Sequence, residues 1–133
     1  MERVPSPLFG SRMLTLPEVV HLVAFSDMHI YRLEKEGLFP ARVHLCERRV
    51  GWPEAAVRTW MQSKVDSRRC GPAAMGPRER FLNYAEVGNL TSLSRQQLVR
   101  LEKRGQFPRR IPIGIVRVAW LESEVTVWRE GLR

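Results

Sequence analysis

Apolar positions recur at helical spacing in two short stretches, Pro17–Val23 and Ala85–Thr91, and a second amphipathic stretch that opens at a serine follows each. Ser26 and Ser94 stand where an N-cap belongs, each with a hydroxyl able to accept an orphan backbone N–H of the first turn. Gln97, three residues past Ser94, completes a capping-box pattern. The second helix turns Ile30 and Leu33 inward in one stretch, and Leu98 and Leu101 in the other. It stops at Gly37 or Gly105, the residue type suited to a left-handed C′ position. Phe-Pro comes next and drives the chain into an extended path. Two short β-rich runs follow, Arg42–Cys46 with Arg49–Trp52 and Arg110–Gly114 with Val116–Trp120, and each pair reads as a hairpin. Pro112 marks its strand as an edge, because proline cannot donate to a ladder on both sides. A third helix opens at Pro53 or Leu121, with Val57 and Trp60, or Val125 and Trp128, three residues apart on one face. The order helix, turn, helix, hairpin, helix predicts a small winged helix-turn-helix, twice over.

The duplication is visible directly. Shifted by 68 positions, Leu16–Trp60 falls on Tyr84–Trp128 without a gap. Identical pairs include Glu18/Glu86, Val19/Val87, Leu22/Leu90 and Ser26/Ser94, then the run RLEK at Arg32–Lys35 and Arg100–Lys103. They continue through Gly37/Gly105, Phe39/Phe107, Pro40/Pro108, Arg42/Arg110, Arg49/Arg117, Trp52/Trp120, Val57/Val125 and Trp60/Trp128. Such agreement marks two copies of one folding unit. The expected fold is mainly α with small β-hairpins: one module over residues 12–65, a Gly-, Pro- and Ala-rich linker over 66–79, and a second module over 80–133. A module of ~50 residues buries only about 60% of its unfolded surface. Trp52, Trp60, Trp120 and Trp128 are therefore read as core, where large rings supply much of the burial. Glu18/Glu86 and Glu34/Glu102 are read as capping or helix-pairing charges.

Charge narrows the class of partner. The 133 residues carry 22 Lys and Arg against 14 Asp and Glu, a net charge of +8, which favours a polyanion such as nucleic acid. The excess is uneven. Arg12–Val65 holds eight basic and six acidic side chains, whereas Arg80–Arg133 holds ten basic and five acidic. Two cysteines, Cys46 and Cys70, and three scattered histidines give neither a disulfide framework nor ligand spacing for a metal. The sequence shows no Ser/His/Asp, Cys/His or paired-carboxylate constellation and no glycine-rich phosphate loop, so a non-enzymatic protein without cofactor or metal is expected. The first residues lack the apolar core of a signal peptide, and no apolar run approaches the ~20 residues of a membrane span. The expected location is the cytoplasm, in association with the nucleoid.

Each copy resembles the AlpA-like regulators of phages and mobile elements, relatives of the excisionases and of the DNA-binding head of MerR proteins. The likeness rests on LPEV at Leu16–Val19, on YRLEKEGLFP at Tyr31–Pro40 and on VGWPEAAVRTW at Val50–Trp60. In the second copy it rests on LSRQQLVRLEKRGQFP at Leu93–Pro108 and VAWLESEVTVW at Val118–Trp128. The resemblance implies that the second helix enters the major groove of duplex DNA while the wing reaches the neighbouring groove or backbone. By position, Met28, His29, Arg32 and Lys35 would face DNA in the first copy, together with Asp27. Arg95, Gln96, Gln97, Arg100, Lys103 and Arg104 would do so in the second.

The chemistry agrees best for the second copy, where Arg can pair with guanine O6/N7 and Gln with adenine N6/N7. In the first, Asp27 takes the place of Arg95 and repels phosphate. Arg48 and Arg49 lie at the wing turn of the first copy, one to each face, and Arg117 matches Arg49. At the second wing tip Ile115 and Val116 offer phosphate nothing. Arg42 and Arg110 suit either a phosphate contact or an exposed strand edge. Two unlike readers on one chain make a covalent pseudo-dimer for an asymmetric or bipartite site. A flexible 14-residue linker spans typically about 20 Å and at most about 46 Å, against about 34 Å for one helical turn of DNA. The implied role is a transcriptional regulator or a recombination directionality factor partnered by an integrase or another regulator. A protein-binding adaptor or a phage DNA-packaging recognition subunit would use the same modules.

Overall fold

A computed structural model describes residues 12–68, 78–114 and 117–132. They fall into two compact units that divide between Ser63 and Lys64. In the first, strand β1 (Met13–Leu14) precedes helices α1 (Leu16–Val23) and α2 (Asp27–Lys35), then strands β2 (Val43–Cys46) and β3 (Arg49–Pro53) and helix α3 (Glu54–Asp66), whose last three residues lie past the division. The order repeats as β4 (Phe81–Leu82), α4 (Tyr84–Thr91), α5 (Arg95–Lys103), β5 (Ile111–Pro112), β6 (Val118–Leu121) and α6 (Glu122–Glu130). The tandem winged helix-turn-helix expected from the periodicity is the observed fold.

Local chemistry accounts for the helix limits. Thr15 and Asn83 cap α1 and α4, and Glu18 and Glu86 return the bond to the cap backbone, so both glutamates close capping boxes. Ser26 and Ser94 accept from the N–H groups of His29 and Gln97, and only the second cap is answered, by Gln97. At the far end of α2 and α5, Gly37 (φ 76°) and Gly105 (φ 72°) take the left-handed conformation. The next N–H, of Leu38 or Gln106, then reaches back to the carbonyl of Leu33 or Leu101, which closes a Schellman motif. The turn between the first two helices also needs a left-handed residue. It is supplied without glycine, by Ala24 (φ 62°) and Ser92 (φ 61°), at a cost of about 1–2 kcal/mol each.

Each unit builds a three-stranded antiparallel sheet, in the orders β1-β3-β2 and β4-β6-β5. The first strand of each is a finding beyond the hairpin expected from the sequence; it pairs Leu14 with Trp52 and Leu82 with Trp120. Pro112 lies on an edge strand, as its missing donor requires. The second hairpin is shorter than expected, since β6 begins at Val118, and the expected wing tip Ile115–Val116 lies outside the described residues. Leu82, Val87, Leu98, Phe107, Trp120 and Val125 form the core of the second unit, with Tyr84, Leu93, Leu101, Val118 and Trp128 packed against it. Leu14, Val19, Val23, Phe25, Ile30, Leu33, Phe39, Trp52 and Val57 are their buried counterparts in the first.

The tryptophans do more than fill space, and two of them are not fully core. Trp52 and Trp120 are buried, whereas Trp60 and Trp128 are only half-buried. All four indole N–H groups donate to the Phe-Pro turn: Trp52 to Pro40, Trp60 to Leu38, Trp120 to Pro108 and Trp128 to Gln106. The turn after the second helix would otherwise leave these carbonyls without partners, so the rings fix the angle at which the wing departs.

Both ends of the expected linker belong to the second unit. Arg68 is buried, donates to both Glu124 oxygens at 2.8 and 2.7 Å and also to the Arg109 carbonyl. Glu79 is buried too, and its carboxylate accepts from the backbone N–H and hydroxyl of Ser123, holding the first turn of α6. The remainder of the linker, residues 69–77 with Cys70, lies outside the described residues. Cys46 is an exposed free thiol on β2.

Candidate nucleic-acid interface

Because α5 buries Leu98 in the core and packs Leu101 against it, the positions on the opposite side of the helix face outward. Arg95, Gln96, Val99, Arg100 and Lys103 line one shallow open depression along that face. No acidic side chain lines it: Glu102, the sole carboxylate of the helix, points the other way. There its oxygens accept from the backbone N–H of Arg110 at 2.7 Å and from the Arg110 guanidinium. The N-terminus of α5 adds its own positive dipole end beside Arg95 and Gln96.

Arg95 is exposed yet not loose. Its guanidinium carbon lies 4.0 Å from the centroid of the Tyr84 ring, and that ring packs edge-on against Trp120 at 5.0 Å. Tyr84 had no role in the sequence reading. A signal was present: the first copy has Leu16 at this position and Asp27 opposite Arg95, so the aromatic and the arginine occur together.

The structure sorts the remaining candidates of the second unit. Gln97 has its side-chain oxygen engaged by the Ser94 N–H at 2.8 Å, and a carboxamide so held cannot also present both its edges to an adenine. Gln96 is the glutamine on the open face. Arg100, Lys103 and the C-capping Arg104 are exposed. Arg110 is tied to Glu102 at 2.7 Å, and this bond holds its pKa above the ordinary arginine value. Glu102 and its counterpart Glu34, expected to be capping or helix-pairing charges, instead accept from the backbone of the chain after Phe-Pro. Arg117 is exposed next to the wing tip.

The first unit places the corresponding residues on the same surface with different chemistry. Asp27 opens α2, and its carboxylate accepts from the Met28 N–H at 2.7 Å. Met28, at 76% exposure, and Tyr31 occupy the positions of Gln96 and Val99. His29 packs at a tilt against Phe25, centroids 4.5 Å apart, and its Nδ1 lies 2.7 Å from a nitrogen of Arg32, so these two candidates are drawn together. Lys35 is exposed near the end of the helix. Glu47 and Arg48 form the wing turn, and Arg49 opens β3 opposite Cys46, both arginines exposed. Arg42 lies 4.7 Å from the Tyr31 ring centroid and 3.6 Å from Glu34. At the start of this unit the exposed Arg12 donates to Glu18 at 2.6 Å; that bond, then the Thr15 N–H, holds the Glu18 carboxyl down at about 2.

Two helix-turn-helix units with short β-wings, one of them with a basic outer face on its second helix, define a protein of the winged helix-turn-helix class. The chain belongs to the phage AlpA family: the pattern described as Prophage CP4-57 regulatory protein (AlpA) matches residues 12–65 and again residues 80–131. It is also 47% identical over 53 residues to "Uncharacterized protein ORF88" of Enterobacteria phage P4. That stretch is 40% of this chain, and it spans 60% of the relative's length. No solved structure matches the chain. Among the described residues, no helix is long and apolar enough to cross a membrane.

Proposed function

We propose that the protein reads a specific duplex DNA site chiefly through its second module and acts there as a transcriptional regulator or recombination directionality factor of a phage or mobile element. In this reading α5 lies in the major groove. Arg95 pairs with a guanine edge, Gln96 with an adenine, and Arg100, Lys103 and Arg104 contact flanking phosphates. Arg117, at the second wing, meets the backbone. The first module, over residues 12–65, adds phosphate contacts through Arg32, Lys35, Arg48 and Arg49, and its Met28 and Tyr31 contribute apolar contact. Linked to the module over residues 80–133, it raises the local concentration of a second weak reader, so the site is bipartite and asymmetric. Arg42, Arg110 and Gln97 are left as structural groups.

The observation that supports this most is the acid-free face of Arg95, Gln96, Arg100 and Lys103 on α5. Selection of bound duplexes from a random pool by the full chain tests it, followed by gel shift of the winner across a salt series. The expected result is one asymmetric consensus, with affinity falling steeply as salt rises. Failure to enrich any sequence, with binding indifferent to salt, would point instead to an adaptor that binds another protein. A site enriched near an element's promoter indicates a regulator. Bending of that site together with stimulation of excision by an integrase indicates a directionality factor.

A further inference from the structure

We propose that Tyr84 is a positioning residue that orients the Arg95 guanidinium for a guanine edge and thereby sets the base preference of the second module; this rests on the reading of α5 as the DNA reader. A free arginine at a helix start samples many rotamers and loses that freedom when it binds. Here the guanidinium lies over a ring at 4.0 Å. The ring is itself held: Trp120 packs on it edge-on, is 1% exposed, and anchors its indole N–H on the Pro108 carbonyl at 3.0 Å. Position is thus relayed from the core to the tip of a surface side chain.

Stacking engages the flat face of a guanidinium and leaves its in-plane N–H groups free, and those are the groups that pair with the O6 and N7 acceptors of guanine. Arg95 has no ion pair among the described residues, in contrast to another arginine that lies over a ring. That residue, Arg42, is also held by Glu34. Arg80 and Arg110 likewise have carboxylate partners, Arg80 with both Glu86 and Glu122. The first copy changes both members of the device together, with Leu16 for the ring and Asp27 for the cation.

The test uses the full chain, its selected duplex, and the same duplex with 7-deazaguanine at each guanine in turn, which removes the N7 acceptor. Wild type and Y84F should bind alike and discriminate against one 7-deazaguanine. Y84L should bind about two- to fivefold more weakly, the range for an exposed cation–π contact, and discriminate less. In an R95A background Y84L should cost nothing further. A purely structural role would give the same loss in both backgrounds and leave the 7-deazaguanine discrimination intact, which overturns the proposal. Equal or tighter binding by Y84L also overturns it. Y84M, apolar and flexible, replaces Y84L if thermal melting shows that Y84L does not fold. A wild type that selects no duplex removes the DNA-reading role and this inference together; a selecting wild type matched by Y84L removes the inference alone.

Discussion

The second helices of the two modules start from the same serine cap, end in the same Schellman turn and carry the same RLEK run, yet their outer faces have diverged. Where α5 shows Arg95, Gln96 and Val99, α2 shows Asp27, Met28 and Tyr31. The adjoining wing strands differ as well: Ile111 and Ile113 are buried at 0% and 3%, whereas their counterparts Val43 and Leu45 are exposed at 43% and 50%. Part of the buried framework is kept across the same comparison, with Val19/Val87, Phe39/Phe107, Trp52/Trp120 and Val57/Val125 identical, while Phe25 is replaced by Leu93 and Ile30 by Leu98. Packing restricts the interior to apolar exchanges at most positions after duplication, because a change of even one methylene is felt in a close-packed core. The surface was free to specialise. An apolar face with an acid at the helix start is poor at meeting phosphate, so the two modules are expected to contribute unequally to DNA binding.

Destroying one module at a time gives the largest test of that inequality. Trp120→Ala and Trp52→Ala should each cost about 3–5 kcal/mol, enough to unfold a module of this size. Thermal melting should show a comparable loss for both, whereas gel shift should show specific binding abolished by W120A and only weakened by W52A. If W52A abolishes it as fully, the modules are equal partners after all. On a finer scale, Arg95→Ala should lower affinity for the selected site by about 10- to 100-fold, the equivalent of roughly 1–3 kcal/mol of base discrimination. Arg48→Ala should lower it only about threefold while reducing the salt slope by roughly one, as for a single phosphate contact. Equal losses at fixed salt would erase the ranking.

The two wing anchors differ more subtly. Glu102 meets the Arg110 guanidinium at 2.7 Å, while Glu34 stands 3.6 Å from that of Arg42. Replacing Glu102 by Ala should therefore destabilise the second module by about 1–2 kcal/mol, and Glu34→Ala the first by about 1 kcal/mol or less, both partners being part-exposed arginines. Equal losses in denaturant melts of the two variants would show that the geometry does not matter. The smallest effect is expected in acid. Glu18 is held at about 2, below its ordinary 4.5, so the stability it lends the first module is fully present above 4.5 and disappears as pH falls through 2. Glu18→Gln should be less stable than wild type at neutral pH and should converge with it near pH 2. Acid titration by circular dichroism would show parallel curves instead if the Arg12 bond were of no consequence.

Much of this architecture was legible in the one-dimensional pattern. Helix starts at Ser26 and Ser94, stops at Gly37 and Gly105, the edge position of Pro112 and the tandem repeat all depend on residues within a few positions of one another, or on the self-similarity of the chain. Those rules are local, because a helix cap or a Schellman turn closes within one turn of backbone. The sequence by itself therefore determined which elements form, in what order, and that the unit occurs twice. It also placed the candidate readers on α2 and α5.

Only the tertiary structure decided which of those candidates are free. Strands β1 and β4 are two residues long, too short for any periodicity, and exist because β3 and β6 offer them an edge. Glu102 reaches an arginine eight residues away, and Tyr84 meets Arg95 across eleven, each only because two elements pack together. Arg110 and Gln97 share the residue types of Arg95 and Gln96, and the sequence left each with two roles: phosphate contact or strand edge for Arg110, capping box or base reader for Gln97. What separates them is whether a neighbour brought close by folding already satisfies the hydrogen-bonding groups that DNA would need, and that depends on distance in space.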